Sequence, residues 1–274
     1  MKRLGEASKP RIIAVSMQKG GVGKTTTSIN LATALAACAK PTLLIDIDPQ
    51  GNASTGLGID KTRRAKSTYE VLGGVFSIPE SIQKSNIPGL DIVPSSVDLA
   101  GAELELIDVP RRAHRLKDAL VSMGDQVNAY DYILIDCPPS LNLLTLNAMV
   151  AAQAVLVPLQ CEFYALEGLS QLLRTIERVR NAFNPELELQ GIVLTMFDKR
   201  NRLSDQVADD VRNHMPEKVY QTVIPRNVRV SEAPSHGKPA LIYDFRCPGS
   251  QAYIQLAREL LRREGDLTPT AEAA

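Results

Sequence analysis

Residues 11–39 read RIIAVSM, QKGGVG, KTTTSINLATALAACA: an apolar β-branched run, a glycine-rich hexapeptide and an amphipathic stretch of helix formers. This order predicts a strand, a tight turn and a helix, the context a phosphate loop requires. Glycines let backbone N–H groups converge on an anion, and the helix N-terminus adds partial positive charge. Such a unit confines the chain to an α/β fold whose strand ends open onto a ligand crevice. Glycine-rich turns also close ordinary strand–helix junctions, but here Gly20, Gly21, Gly23, Lys24 and Thr25 all fall in register after the strand. Two departures stand out. Gln18 occupies the first glycine position of G-x-x-x-x-G-K-[ST], and a second lysine, Lys19, sits inside the loop.

Further apolar runs begin at residues 42, 90, 130, 154, 189 and 219, most of them apolar throughout, as suits strands covered on both faces. Helix-like segments lie between and beyond them: Lys24 to Ala39, Arg111 to Met123, Leu166 to Ala182, Ser204 to Met215 and Gln251 to Arg263. The alternation predicts a single doubly wound α/β domain, mostly parallel sheet with helices on both faces, over residues 11–264. Residues 1–10 and 265–274 are expected to be flexible ends. The 31 basic and 31 acidic residues cancel, so any nucleic-acid surface must be local. Four dispersed cysteines without a C-x-x-C pair read as small core residues of a reducing cytosol, and no run reaches the length of a membrane span.

Within this frame Lys24 is placed to contact the β- and γ-phosphates of a nucleotide, and Thr25 to give its hydroxyl to Mg²⁺. Asp136 ends the run YDYILID, a position from which a carboxylate reaches the Mg²⁺ shell. Asp48 ends TLLIDID and opens onto the same crevice. Either aspartate alone also reads as a turn or helix cap, a reading that the two together beside a phosphate loop weaken, and Asp46 alternates with Asp48, so period does not choose between them.

The segments KGGVGKTTT, LLIDIDPQGNASTGLG, YDYILIDCPPSLNLLTLNAM, VPLQCEFYALEGL and IPRNVRVSEAPSHGKPALIYD together resemble the ParA/Soj chromosome-partitioning ATPases, of the deviant Walker A group of P-loop NTPases. The likeness runs from about Arg11 to Arg263 and is nearest the chromosomal type, which lacks an N-terminal DNA-binding extension. Gln18 is shared by that family. The resemblance implies ATP and Mg²⁺ as cofactors, and a nucleotide-sandwich homodimer in which Lys19 reaches the phosphates bound by the other protomer. It implies catalytic roles for Lys19, Lys24 and Asp48, the last positioning the attacking water. Nucleotide contacts are implied for Lys19, Gly20, Gly21, Val22, Gly23, Lys24, Thr25 and Thr26, and metal contacts for Thr25 and Asp136. Pro225 and Asn227 fall in the loop beside the adenine, although a turn before a helix explains the same residues. Hydrolysis is expected to be slow until a ParB-like centromere-binding protein stimulates it.

No separate DNA-binding module is legible, yet DKRNR at 198 and PRNVR at 225 are locally basic. By resemblance Arg200 is the main nonspecific DNA-binding arginine and Arg229 a second, with Lys199 and Arg202 as neighbours. The RELLRR run at 258 reads as a solvated face, and the basic RRAHRLK run at 111 has no assigned role. The three histidines are isolated, which disfavours a metal site built from them. The expected protein is cytoplasmic and nucleoid-associated, bound to double-stranded DNA and not to membrane. A membrane-associated division-site ATPase of the MinD kind is the alternative. It requires a C-terminal amphipathic helix, where this chain ends in the polar GDLTPTAEAA. A metabolic or metal-delivery ATPase of the same group is a third reading, disfavoured by the cysteine positions.

Overall fold

Strand β1 (Arg11–Val15) lies between β5 (Tyr132–Asp136) and β6 (Ala154–Gln160), and the remaining strands extend outward from these. With β2 (Thr42–Asp46), β3 (Gln83–Lys84), β4 (Leu90–Val93) and β7 (Glu188–Thr195), the order is β3-β4-β2-β5-β1-β6-β7. Every pairing is parallel except β3 with β4. The computed structural model describes residues 9–266, so most of both ends expected to be flexible lies outside the described residues.

The apolar strands divide their side chains between two cores. Ile13, Val15, Leu44, Leu134 and Leu156 pack with Leu31 and Leu35 of the helix Lys24–Ala37 and with Leu256 and Leu260 of the helix Pro248–Arg263. Ala14, Leu43, Ile45, Ile133, Ile135 and Val155 face the other way. They pack against the helices Arg115–Val121, Leu143–Ala151, Ala165–Ala182 and Arg202–His214. Helices thus cover both faces, which is why the strands need no polar side. The chain leaves β1 toward β2 on one side, and leaves β5 toward β6 on the other. The carboxyl end of β1 is therefore the switch point where a doubly wound sheet opens its crevice.

Six of the seven apolar runs form strands, but the run at 219 does not. It runs beside β7 through two isolated bridges, Ile192 with Val219 and Phe197 with Pro225. Tyr220 N and Ile224 N still donate to the Ile192 and Leu194 carbonyls of β7, but between them the amides of Gln221 and Thr222 donate to the Glu259 carboxylate at 2.8 and 2.9 Å, so a side chain interrupts the ladder. The basic run at 111 becomes a short turn and a helix whose Arg115 donates inward to the Leu72 carbonyl at 2.7 Å.

Candidate functional site

The loop between β1 and the helix Lys24–Ala37 depends on two glycines with positive φ, Gly21 at 76° and Gly23 at 88°, values that side chains with a Cβ rarely adopt. Gly23 is also the helix N-cap. It supplies no side chain to the first amides, and the first turn carries no acidic residue. Among the described residues these N–H groups thus have no side-chain cap at the edge of a cleft, which suits an anion. From the far wall Thr195, at the end of β7, donates from Oγ1 to the Val22 carbonyl at 2.8 Å and pins the loop.

The cleft measures about 510 Å³ and is walled by Gly20, Gly21, Gly23, Lys24, Thr25, Thr26 and Asp48, with Pro225 and Asn227 opposite. Lys24 is only 7% exposed, and its ammonium donates to the Lys19 carbonyl at 2.9 Å. Burial lowers its pKa, opposed by the charges of Asp136 and Asp48. Asp136 lies fully buried beneath the cleft, level with Val15 and Asp46 on the neighbouring strands. Its Oδ1 accepts from Ser28 Oγ at 2.7 Å, while its Oδ2, equally buried, has no hydrogen-bond partner. Burial first, and then the nearby charge of Asp46, raise the Asp136 pKa, while the Ser28 and Thr25 hydroxyls favour its charged form. An orphaned carboxylate oxygen beside a threonine hydroxyl fits a cation that brings most of its own ligands. Mg²⁺ does this, keeping waters and taking phosphate oxygens. Among the described residues no cluster of three or more His, Cys, Asp or Glu side chains forms a self-sufficient metal site.

Geometry separates the two aspartates that period leaves open. Asp46 accepts from Ser54 N at 2.8 Å, Ser54 Oγ at 2.7 Å and Asp48 N at 3.2 Å, so its carboxylate is committed to holding the following loop. Asp48 lines the cleft and accepts from the Gln50 amide at 3.0 Å. Lys19 turns away from its own cleft and forms an ion pair with Glu162, just ahead of the helix Ala165–Ala182. Gln18 donates to Thr175 of that helix at 3.2 Å, which gives the missing first glycine a physical purpose. Val22 contributes only backbone, its side chain being buried in the core.

Asn227 caps the helix Val228–Glu232, accepting from Val230 N at 3.3 Å, and also lines the cleft, so the capping role does not remove it from there. The basic segments meet where Phe197 N donates to Ile224 O and Arg226 N donates to Phe197 O, both at 3.0 Å. Lys199 and Arg200 are exposed on the loop that follows, and Arg202 is exposed at the first position of the helix Arg202–His214. Arg200 clasps Asp198 with two hydrogen bonds of 2.9 and 2.8 Å, which hold the Asp198 pKa at about 2. Arg229 pairs with Glu232 at 3.2 Å and lies 3.6 Å from Asp244. Sequence reasoning missed Thr195, Met196, Arg226 and Tyr253, which also line the cleft. Only Arg226 had a signal, its place beside Pro225 and Asn227. Met196 adopts a φ of 48°, a strained backbone at the rim that no sequence pattern announces.

The family model described as an AAA domain matches residues 10–189. The chromosome partitioning protein ParA of Caulobacter vibrioides is 62% identical over 260 residues, covering 95% of this chain and 97% of that protein. The chromosome-partitioning ATPase Soj of Thermus thermophilus is 48% identical over 256 residues, covering 93% and 97%. Among solved structures, a Mycobacterium smegmatis protein described as cobyrinic acid a,c-diamide synthase, with bound ADP and magnesium, superposes with a TM-score of 0.81. It is 37% identical and covers 93% of this chain and 96% of its own. The loop, the carboxylate pair beneath it and this near full-length identity place the chain in the ParA/Soj family of chromosome-partitioning ATPases.

Proposed function

We propose that the chain is an ATP-driven dimerisation switch that binds DNA nonspecifically in its ATP form and releases it on hydrolysis. The observation that carries this reading is the division of labour between the two loop lysines. Lys24 is buried at its own cleft, whereas Lys19 stands outside it on Glu162 and is free to serve the phosphates of a second protomer. In that arrangement ATP joins two chains, because each nucleotide is held by both.

The chemistry follows from the residues present. The loop amides and Lys24 bind the phosphates, Lys19 of the other protomer offsets charge that develops in the transition state, and Asp48 orients the attacking water. Thr25 and the free oxygen of Asp136 would hold Mg²⁺, which when bound supplies neutralisation of the phosphate charge. Among the described residues no strong base lines the cleft, so turnover is slow and a partner has a rate to raise. A ParB-like centromere-binding protein fills that part, and ADP release resets the chain. DNA binding rests on Arg200, with Arg229, Lys199 and Arg202 as further phosphate contacts, and pairing two chains doubles them. The protein then works on the nucleoid in the cytoplasm.

The membrane alternative requires a C-terminal amphipathic helix that docks on lipid, and most of the end GDLTPTAEAA lies outside the described residues. Among the described residues no helix is long and apolar enough to cross a bilayer, and the apolar side of the last helix, Pro248–Arg263, is buried against the core. The proposal is tested by steady-state ATP turnover and sedimentation of wild type and Asp48→Ala. The variant is expected to lose turnover yet accumulate as an ATP dimer. Normal hydrolysis by Asp48→Ala would overturn the role of that residue.

A further inference from the structure

Arg64 is 6% exposed and, among the described residues, forms no ion pair. Its guanidinium is spent on neutral oxygens. It donates to Ile59 O at 2.7 and 3.3 Å, to Gly51 O at 3.2 Å, to Thr55 Oγ1 at 2.9 Å and, at the 3.5 Å limit, to Ser95 O. Burial lowers its pKa, and the charges of Asp46 and Asp60, neither in direct contact with the guanidinium, oppose the shift. A buried cation without a carboxylate partner is costly, so it calls for a role that an apolar side chain does not fill.

Three of the four oxygens it gathers, those of Gly51, Thr55 and Ile59, belong to the stretch that follows Asp48, and the fourth, Ser95 O, lies just after β4. Gly51 N donates to Asp48 O at 2.8 Å, closing a turn in which the Asp48 carboxylate leans on the Gln50 amide. Arg64 holds the far end of that turn by the Gly51 carbonyl, while Asp46 holds Asp48 N and Ser54 from the sheet side. Ser95 closes the circuit, its amide donating to Ser54 Oγ at 3.0 Å. The planar fork spans three segments at once, which a lysine ammonium does not reproduce.

We infer that Arg64 is a positioning residue for ATP hydrolysis, fixing the Asp48 turn so that the Asp48 carboxylate meets the attacking water. The inference rests on the proposed role of Asp48. Its test is steady-state turnover of Mg-ATP by the full chain as wild type, Arg64→Lys, Arg64→Met, Asp48→Ala and the Arg64→Met/Asp48→Ala double variant. Affinity for a non-hydrolysable ATP analogue and thermal midpoints are measured alongside. Displacing the turn is expected to lower kcat about tenfold or more in Arg64→Met, with KM and analogue affinity within about threefold of wild type. Arg64→Lys recovers part of the loss, and Arg64→Met costs nothing further once Asp48 is alanine. Guanidinium ion added to Arg64→Ala restores turnover in proportion to its occupancy. If the Met and Ala variants fail to fold, Arg64→Lys shows the same split between kcat and KM. A kcat near wild type in Arg64→Met, or in Arg64→Lys where that variant carries the test, with Asp48→Ala inactive, overturns this inference alone. So does a full additive loss in the double variant. Normal hydrolysis by Asp48→Ala overturns the role of Asp48 and this inference with it.

Discussion

Replacing Lys19 by alanine separates nucleotide binding from dimerisation. In the proposed dimer each Lys19 leaves Glu162 and donates to the phosphates of the partner chain. A hydrogen bond to a charged group is worth about 1.5–3 kcal/mol, so the two symmetric contacts contribute about 3–6 kcal/mol. Against this, each chain gives up its Lys19–Glu162 pair, whose side chains are 38% and 43% exposed. Solvent screening discounts each such pair to about 0.5 kcal/mol, or about 1 kcal/mol for the dimer. The net is about 2–5 kcal/mol, which predicts a dimer dissociation constant weaker by about 30- to about 5,000-fold. Sedimentation velocity in Mg-ATP over a range of protein concentrations, with hydrolysis blocked by Asp48→Ala, reads this shift directly. ATP affinity of the lone chain should stay within about threefold, because Lys24 and the loop amides remain. An unchanged dimer constant would refute the role of Lys19 between chains, and a matching loss of ATP affinity would place the lysine on its own nucleotide.

Lys24→Ala should act earlier in the cycle, weakening ATP binding to the lone chain by about 10- to about 150-fold, as a fluorescent-nucleotide titration would measure. Glu162→Gln has the opposite sign to Lys19→Ala, since freeing Lys19 should tighten the ATP dimer by up to about fivefold in the same sedimentation experiment. Gly191→Ala tests the fold alone. Its new Cβ would stand 2.6 Å from Tyr220 Cε2 and 2.7 Å from the Lys218 carbonyl, so a loss of about 1–3 kcal/mol is expected in urea unfolding, and an unchanged midpoint would refute the packing described there.

What the sequence conveyed and what it withheld divide along local and long-range physics. The glycine loop, the aspartates ending β2 and β5 and six of the seven expected strands are legible because period, turn chemistry and strand ends are local properties. β3 has two residues and no period to detect. The run at 219 carries a strand pattern, but two of its amides, those of Gln221 and Thr222, are taken by Glu259, thirty-eight and thirty-seven positions away. The partners of Gln18 and Lys19 lie 157 and 143 positions along the chain, beyond the reach of any spacing rule. Arg64 reads in sequence as one of three basic residues in KTRR, and only the folded loop reveals that its neighbours stay outside while it turns inward. Asp198 stood two residues from Arg200 throughout, yet the clasp between them depends on the turn that follows β7.

The claim at the centre of the account is that ATP turns on a DNA-binding surface containing Arg200. Its most direct test is binding of a random-sequence duplex to wild type and Arg200→Ala with ATP, ADP or no nucleotide, over a series of salt concentrations. Arg200 has a side chain 88% exposed and, among the described residues, is held only by Asp198, so a DNA phosphate competes with one carboxylate for it. Binding should appear only with ATP. Arg200→Ala should weaken it and flatten the dependence of log affinity on log salt by about 0.9 per lost contact, or about 1.8 for a dimer. Equal DNA affinity with and without ATP, or a variant indistinguishable from wild type in both affinity and slope, would contradict it.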